Sequence, residues 1–321
     1  MPINLNKSSS EPKSDMPKPE AAPTTGDTAS KVEFTASEPI YGLDEIILSE
    51  ETFDEIKTVI NSQKNWDKVF ISWDLKSVLK QRKNLFINLY GAPGTGKTMA
   101  AHAIAKETGH KIICVNYADI ESKYVGETSK NLVKLFENAK KERVVIFFDE
   151  ADALLSKRVT NMSSSTDVSV NQTRSVLLTL LNDYTGMIIF ATNFISNFDP
   201  AFMRRIQFHI KFDLPNEKMR RLLWKNYTPD KMPTDVRIDE LAEKYEGLSG
   251  SDISTAVLKA ALKAANNGLD KVPHIYFAEA AEKIIESQQE NRNSGVTITQ
   301  KEISKEEAIS QLQGKRTEGE D

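Results

Sequence analysis

Apolar and polar positions divide the chain into four stretches. Up to residue 37 there is hardly an apolar residue to bury among Pro, Ser, Lys and Glu, and half of the chain's 12 prolines fall before residue 40. Such a segment cannot offset its ordering entropy, so residues 1–37 are expected to be a disordered leader, either plainly solvated or a tether for a partner. From Ile40 the pattern tightens into a helix through Glu50–Ile60. Five short apolar runs follow, at Leu85–Tyr90, Lys111–Val115, Val144–Phe148, Met187–Ala191 and Gln207–Phe212. Helical spacing at Ser129–Ala139 and Val170–Leu181 lies between them. Strands alternating with helices predict a parallel sheet covered on both faces, an α/β domain over residues 38–215. Beyond Pro215 only one-sided helical stripes remain, over 218–225, 239–245, 252–265 and 277–287. They predict a small α-helical second domain at 216–290. The tail, 291–321, is polar, with a short helical pattern at Ser304–Leu312.

The first strand run leads into Gly91-Ala92-Pro93-Gly94-Thr95-Gly96-Lys97-Thr98, and a helical run from Met99 follows. A glycine-rich turn between strand and helix lets successive backbone N–H groups face one concavity, and the helix N-terminus adds partial positive charge. Lys97 is placed to reach the β- and γ-phosphates of a nucleoside triphosphate, and the Thr98 hydroxyl to sit on Mg²⁺. The third run ends in Asp149-Glu150, two carboxylates at the edge of the sheet that carries the glycine loop. The first suits a Mg²⁺ ligand acting through water, and the second an attacking water's orienting base. The fourth run delivers Asn193 to the same edge. There it either caps a turn or bonds the γ-phosphate and the water, and the order of the three strands favours the second. Arg204 and Arg205 are either a surface pair or cations supplied to a transferring phosphate.

Composition narrows the setting. The chain has 321 residues, a hydrophobic share of 39% and a net charge of −4, with a pI near 5.8. Nothing in that balance draws the whole chain to nucleic acid or an anionic membrane. The single cysteine, Cys114, has no internal disulfide partner, and no apolar stretch is long enough to span a bilayer. These features predict a cytoplasmic protein without a membrane partner.

Gly91–Thr98, Val144–Asp152, Ile188–Asn193, Asp199–Arg205 and Gly247-Leu248-Ser249-Gly250-Ser251-Asp252-Ile253 resemble, in order and spacing, the AAA+ ATPases. The match covers residues 38–290 and is to the AAA subgroup whose lid helix starts Gly-x-Ser-Gly. The resemblance implies a P-loop NTPase fold with five parallel strands and a helical lid. It also implies a ring, usually hexameric, with ATP and Mg²⁺ between neighbouring copies. By position, Gly91, Pro93, Gly94, Thr95, Gly96, Lys97, Thr98, Met99 and Gly250 hold the nucleotide, and Thr98 and Asp149 the metal. Glu150 is the base, Asn193 the sensor, and Arg204 and Arg205 the fingers acting on the adjacent copy's ATP. Lys123, Tyr124 and Val125 match the loop that lines the central pore, where the aromatic grips a polypeptide; the alternative is that Tyr124 packs beneath its own loop. The polar stretch Val159–Ser169 falls where a second pore loop lies, or is an ordinary loop.

Two details narrow the subgroup. Arg204 and Arg205 are adjacent, without the Pro-Gly insertion of many unfoldases and proteasomal ATPases, as in the katanin, spastin and ESCRT-disassembly group and in pachytene-checkpoint remodellers of HORMA proteins. Ser251, however, stands where the eukaryotic HORMA remodellers carry a sensor arginine. The expectation is an ATP-driven remodeller of a protein partner, HORMA-like or delivered by an adaptor, with bacterial anti-phage signalling as one setting. A nucleic-acid motor or loader is the alternative; the acidic balance and the lack of a basic stripe argue against it.

Overall fold

The computed structural model describes residues 34–79, 83–116, 120, 127–156, 165–193 and 198–293. Five parallel strands form one sheet: β1 (Leu85–Gly91), β2 (Ile112–Asn116), β3 (Val145–Asp149), β4 (Met187–Thr192) and β5 (Phe208–Phe212), in the order β2-β3-β4-β1-β5. Each matches its apolar run, with ends moved by at most one position. The glycine loop therefore leaves a central strand that pairs with β4 on one side and β5 on the other.

Helices cover both faces. Ile87, Leu89, Phe147 and Ile189 pack against Ile56 and Val59 of α1 (Glu50–Lys64) and against Ala100, Ala101 and Ile104 of the helix after the glycine loop, α2 (Lys97–Glu107). On the other face Phe86, Phe148, Ile188 and Phe190 meet Leu132, Leu135 and Phe136 of α3 (Glu127–Glu142) and Leu177 and Leu181 of α4 (Ser165–Asp183). The alanines of α2 keep that helix close to the sheet, which fixes where its N-terminus points.

After β5 come α5 (Glu217–Tyr227), α6 (Ile238–Lys244), α7 (Gly250–Asn266) and α8 (His274–Asn293), packed around Trp224, Leu241, Ile253, Ala256, Ala260 and Phe277. Arg220 of α5 is buried there, donating to the carbonyls of Pro215 and Ala242 at 2.9 Å each. The fold is thus α/β with a five-stranded parallel sheet and an α-helical lid. One boundary moves. Ser37 exchanges backbone hydrogen bonds with Ile112 at 2.9 Å, and Phe34 and Ala36 pack on the core, so the last residues assigned to the leader belong to the domain. An edge strand's free backbone groups explain this, because they accept any extended segment. Residues 1–33 and the tail from 294 lie outside the described residues. No helix among those described is long and apolar enough to cross a membrane.

Candidate nucleotide site

The loop is shaped by three glycines, each for its own reason. Gly91 has φ +141°, and a Cβ there would lie 2.1 Å from the Phe212 carbonyl oxygen of β5. Gly94 has φ +73°, and its Cβ would lie 2.6 Å from Ser249 Oγ and 2.8 Å from Ser251 Cβ at the start of the lid helix. Gly96 has φ +99° and caps α2. Left-handed backbone and close approach together exclude other residues at the first two. Thr95 braces the turn, its hydroxyl donating to the Ala92 carbonyl at 2.7 Å.

Lys97 is buried and donates to the carbonyls of Gly91 and Ala92, both at 2.9 Å, and to Asn193 Oδ1 at 3.1 Å. Burial pushes its ammonium below the ordinary lysine value, with Asp149 and Asp152 acting in the opposite direction. Thr98 Oγ1 donates to Asp149 Oδ2 at 3.0 Å, and the other carboxylate oxygen of Asp149 accepts the Glu150 N–H at 2.9 Å. Glu150 has φ +49°, a costly conformation for a non-glycine residue, held by the neighbouring Ala151 N–H bonded to the Ala191 carbonyl at 2.9 Å. Asn193 is fixed through its own N–H, which bonds Asp152 Oδ2 at 3.2 Å. One cleft is lined by Gly94, Lys97, Thr98, Asp149, Glu150 and Asn193, with Ser251 and Ser254 from the lid.

Alongside it lies a second, apolar recess formed by Ile46, Ile47, Met99, Met219, Leu223 and Tyr227, which also touches Thr95 and Gly250. Sequence reasoning found Thr95, Met99 and Gly250 but missed Ile46, Ile47, Met219, Leu223 and Tyr227. The only signal was an isolated Ile46-Ile47-Leu48 ahead of α1, which reads as core until the lid is placed over it. Asp152 was likewise missed as the group that holds Asn193. Lid and loop touch directly: the Ser251 N–H bonds the Gly94 carbonyl at 3.2 Å.

The donor set fits a nucleoside triphosphate with its metal. The loop's curvature, the N-terminus of α2 and the Lys97 ammonium suit phosphate oxygens, and the apolar recess suits a base. The Thr98 hydroxyl beside the Asp149 carboxylate suits Mg²⁺, a hard cation that takes oxygen ligands.

The two arginines do not line this cleft. Arg205 donates from Nε to Asn182 Oδ1 at 2.9 Å and from Nη1 to the Ala201 carbonyl at 2.7 Å. Burial, ahead of its arginine neighbour, lowers its pKa. Arg204 is exposed and has no such partner among the described residues. Lys123, Tyr124 and Val125 lie outside the described residues, as does most of Val159–Ser169.

Residues 87–214 match the family model for the ATPase family associated with various cellular activities (AAA), and residues 235–278 match the AAA+ lid domain. The chain belongs to the AAA+ ATPase family. Among curated proteins it is similar to the ATP-dependent zinc metalloprotease FtsH 2 of Thermoanaerobacter sp., with 33% identity over 82% of this chain and 50% of that protein. It is 36% identical to the proteasome-activating nucleotidase of Saccharolobus solfataricus, over 61% of this chain and 52% of that protein. Cell division protein C of Sulfolobus acidocaldarius is 32% identical over 70% of this chain and 66% of that protein. The chain spans about half the length of the first two, so what it shares with them is the AAA+ module.

Proposed function

We propose that this AAA+ chain hydrolyses ATP at clefts completed by a neighbouring copy, in a ring with hexameric stoichiometry, and uses the energy to remodel a protein partner. The observation that carries this reading is the mutual hold of Lys97, Asn193, Thr98 and Asp149 beside Glu150, while Arg204 stands exposed and away from that cleft. Lys97 and the loop amides would bind and orient the phosphates. Mg²⁺ on Thr98 and Asp149 would supply neutralisation of their charge. Glu150 would take the proton as water attacks the γ-phosphorus and the bond to the β-phosphate oxygen breaks, leaving ADP and phosphate. Asn193 would position that water, and Arg204 of the next copy would meet charge developing in the transition state.

Tyr124, flanked by Lys123 and Val125, is proposed as the grip on an extended polypeptide, since an aromatic between longer side chains packs on any backbone. The adjacent Arg204-Arg205 supports the short-finger layout of the katanin and HORMA-remodeller groups over that of proteasomal relatives. No residue of the cleft selects a HORMA-like client, and the partner is best found by trapping. A Glu150→Gln chain is expected to bind ATP, lose about 10²–10⁴ in turnover, and retain a partner through affinity capture in ATP but not in ADP. Normal turnover would remove Glu150 from the base role. Capture of nucleic acid in place of protein would favour the motor reading.

A further inference from the structure

The middle of β1 is expected to be wholly apolar, yet Asn88 sits there at 0% exposure. Its Oδ1 accepts the hydroxyl of Thr192 on β4 at 3.2 Å, and Thr192 is itself 1% exposed. The other half of the amide, Nδ2, has no partner. Across the sheet, the register partner of Asn88 on β5 is His209, whose Nδ1 is also buried without a partner. The flanking pairs, Ile87 with Phe208 and Leu89 with Ile210, turn to the opposite face, so Asn88 and His209 share the remaining one.

The chemistry of the two unmatched atoms is complementary. Burial lowers the pKa of the His209 ring, with the Met203 backbone acting in the opposite direction, and keeps the imidazole neutral at physiological pH. With the proton of the neutral ring on Nε2, Nδ1 carries a lone pair. An amide N–H without an acceptor thus stands on the strand next to an imidazole nitrogen without a donor, at a strand spacing of about 4.8 Å. Buried polar groups left in this way are rare, and a pair of opposite kind is closed by a small side-chain adjustment or one shared water.

We propose that Asn88 and His209 form a buried polar bridge that ties the sensor Asn193 to the arginine segment. On one side, Asn193 follows Thr192, which holds Asn88, and touches Lys97 in the nucleotide cleft. On the other, His209 stands on β5, four residues beyond the Arg204–Arg205 turn. Asn88 and His209 are positioning residues; neither lines the cleft. A shift of Asn193 on nucleotide turnover would reach Arg204 through the sheet's interior, without passing over the surface. The inference rests on the proposed role of Arg204.

The test is a double-mutant cycle of Asn88→Leu, His209→Leu and both together in the full chain, read in melting temperature, KM for ATP and kcat. Each single change is expected to lower melting temperature by stranding the other group, and the double to recover part of it. Each should lower kcat on the order of 10-fold with KM unchanged, and the double no further, because both act through one bridge. Losses in kcat that multiply in the double, or a double that turns over like wild type, would overturn the relay. Where a single variant fails to fold, the double against wild type carries that decision. A wild-type chain without ATP turnover would defeat the proposed function and leave the relay nothing to position. The melting-temperature cycle would still read the bridge by itself, so the two failures are distinguishable.

Discussion

The nucleotide cleft and the arginine segment are both built at strand ends of one sheet, yet their polar groups are held very differently. In the cleft, Lys97, Asn193 and Asp152 hold one another, and Thr98 is locked to Asp149, so each group's position depends on at least one other. In the arginine segment the work is divided between neighbours in sequence. Arg205 is fastened to Asn182 and the Ala201 carbonyl, and Arg204 projects from the turn that this fastening stabilises. In the proposed reading, the difference teaches how a site shared between copies can be prepared in advance. The half that binds is organised within the chain, and the half proposed to be donated holds an exposed cation, without a side-chain partner among the described residues, on a fixed base.

The largest test of that contrast separates the two arginines. Arg204→Ala is expected to lower kcat by about 10³ or more, the scale of a removed finger, with an unchanged melting temperature. Arg205→Ala should instead cost about 1–2 kcal/mol of stability, from hydrogen bonds lost at a partly buried guanidinium. Mixing Arg204→Ala chains with Glu150→Gln chains should restore turnover, because some clefts then pair an intact base with an intact finger. If the mixture stays inactive, the donated-finger assignment fails.

How much of this was legible in the sequence follows the range of the interactions. The five strands, the glycine loop and Asp149–Glu150 were readable because a burial run and a tight turn are local patterns. The order β2-β3-β4-β1-β5 was not, since no periodicity records which run pairs with which. Arg204 and Arg205 looked equivalent because the group that distinguishes them, Asn182, lies 23 positions upstream on α4. Asn88 was read as one more member of an apolar run; its meaning needs Thr192, 104 positions away, and His209 on the neighbouring strand β5. The base recess was hidden for the same reason, since Ile46 and Ile47 acquire their neighbours Met219 and Leu223 only when the lid folds back.

The lid gives a smaller test, because Gly94 and Gly250 were both read as nucleotide-holding and the structure leaves them unequal room. Gly94→Ala forces a Cβ within 2.6 Å of Ser249 Oγ at a positive φ, so loop and lid cannot both keep their places. A fall in kcat/KM of roughly 10- to 100-fold is expected from a displacement of this kind. At Gly250 the nearest atom to an added Cβ is the Gly94 carbonyl oxygen, at 3.4 Å. Gly250→Ala should therefore change kcat/KM little. Equal losses would show that Gly250 contributes through its backbone's freedom, and not through space.

The smallest expected effect concerns the cap that seats the lid. Ser249 accepts the Asp252 N–H at 3.2 Å, and the Asp252 carboxylate accepts both the Ser249 N–H, at 2.8 Å, and its hydroxyl, at 2.6 Å. Gln288 of α8 adds a third donor to the same carboxylate at 3.0 Å. Ser249→Ala removes the helix cap and the shortest of these bonds but leaves Asp252 two donors, so a loss of about 1 kcal/mol is expected, read as a lower melting temperature. Because Ser249 Oγ is one of two atoms within 3.0 Å of a Cβ at Gly94, the other being Ser251 Cβ at 2.8 Å, the same change should relieve part of the clash in a Gly94→Ala background. The double variant should then regain part of the lost kcat/KM. A double no better than Gly94→Ala alone would place the fault in the loop's backbone conformation or in the remaining contact with Ser251 Cβ, and not in the Ser249 hydroxyl.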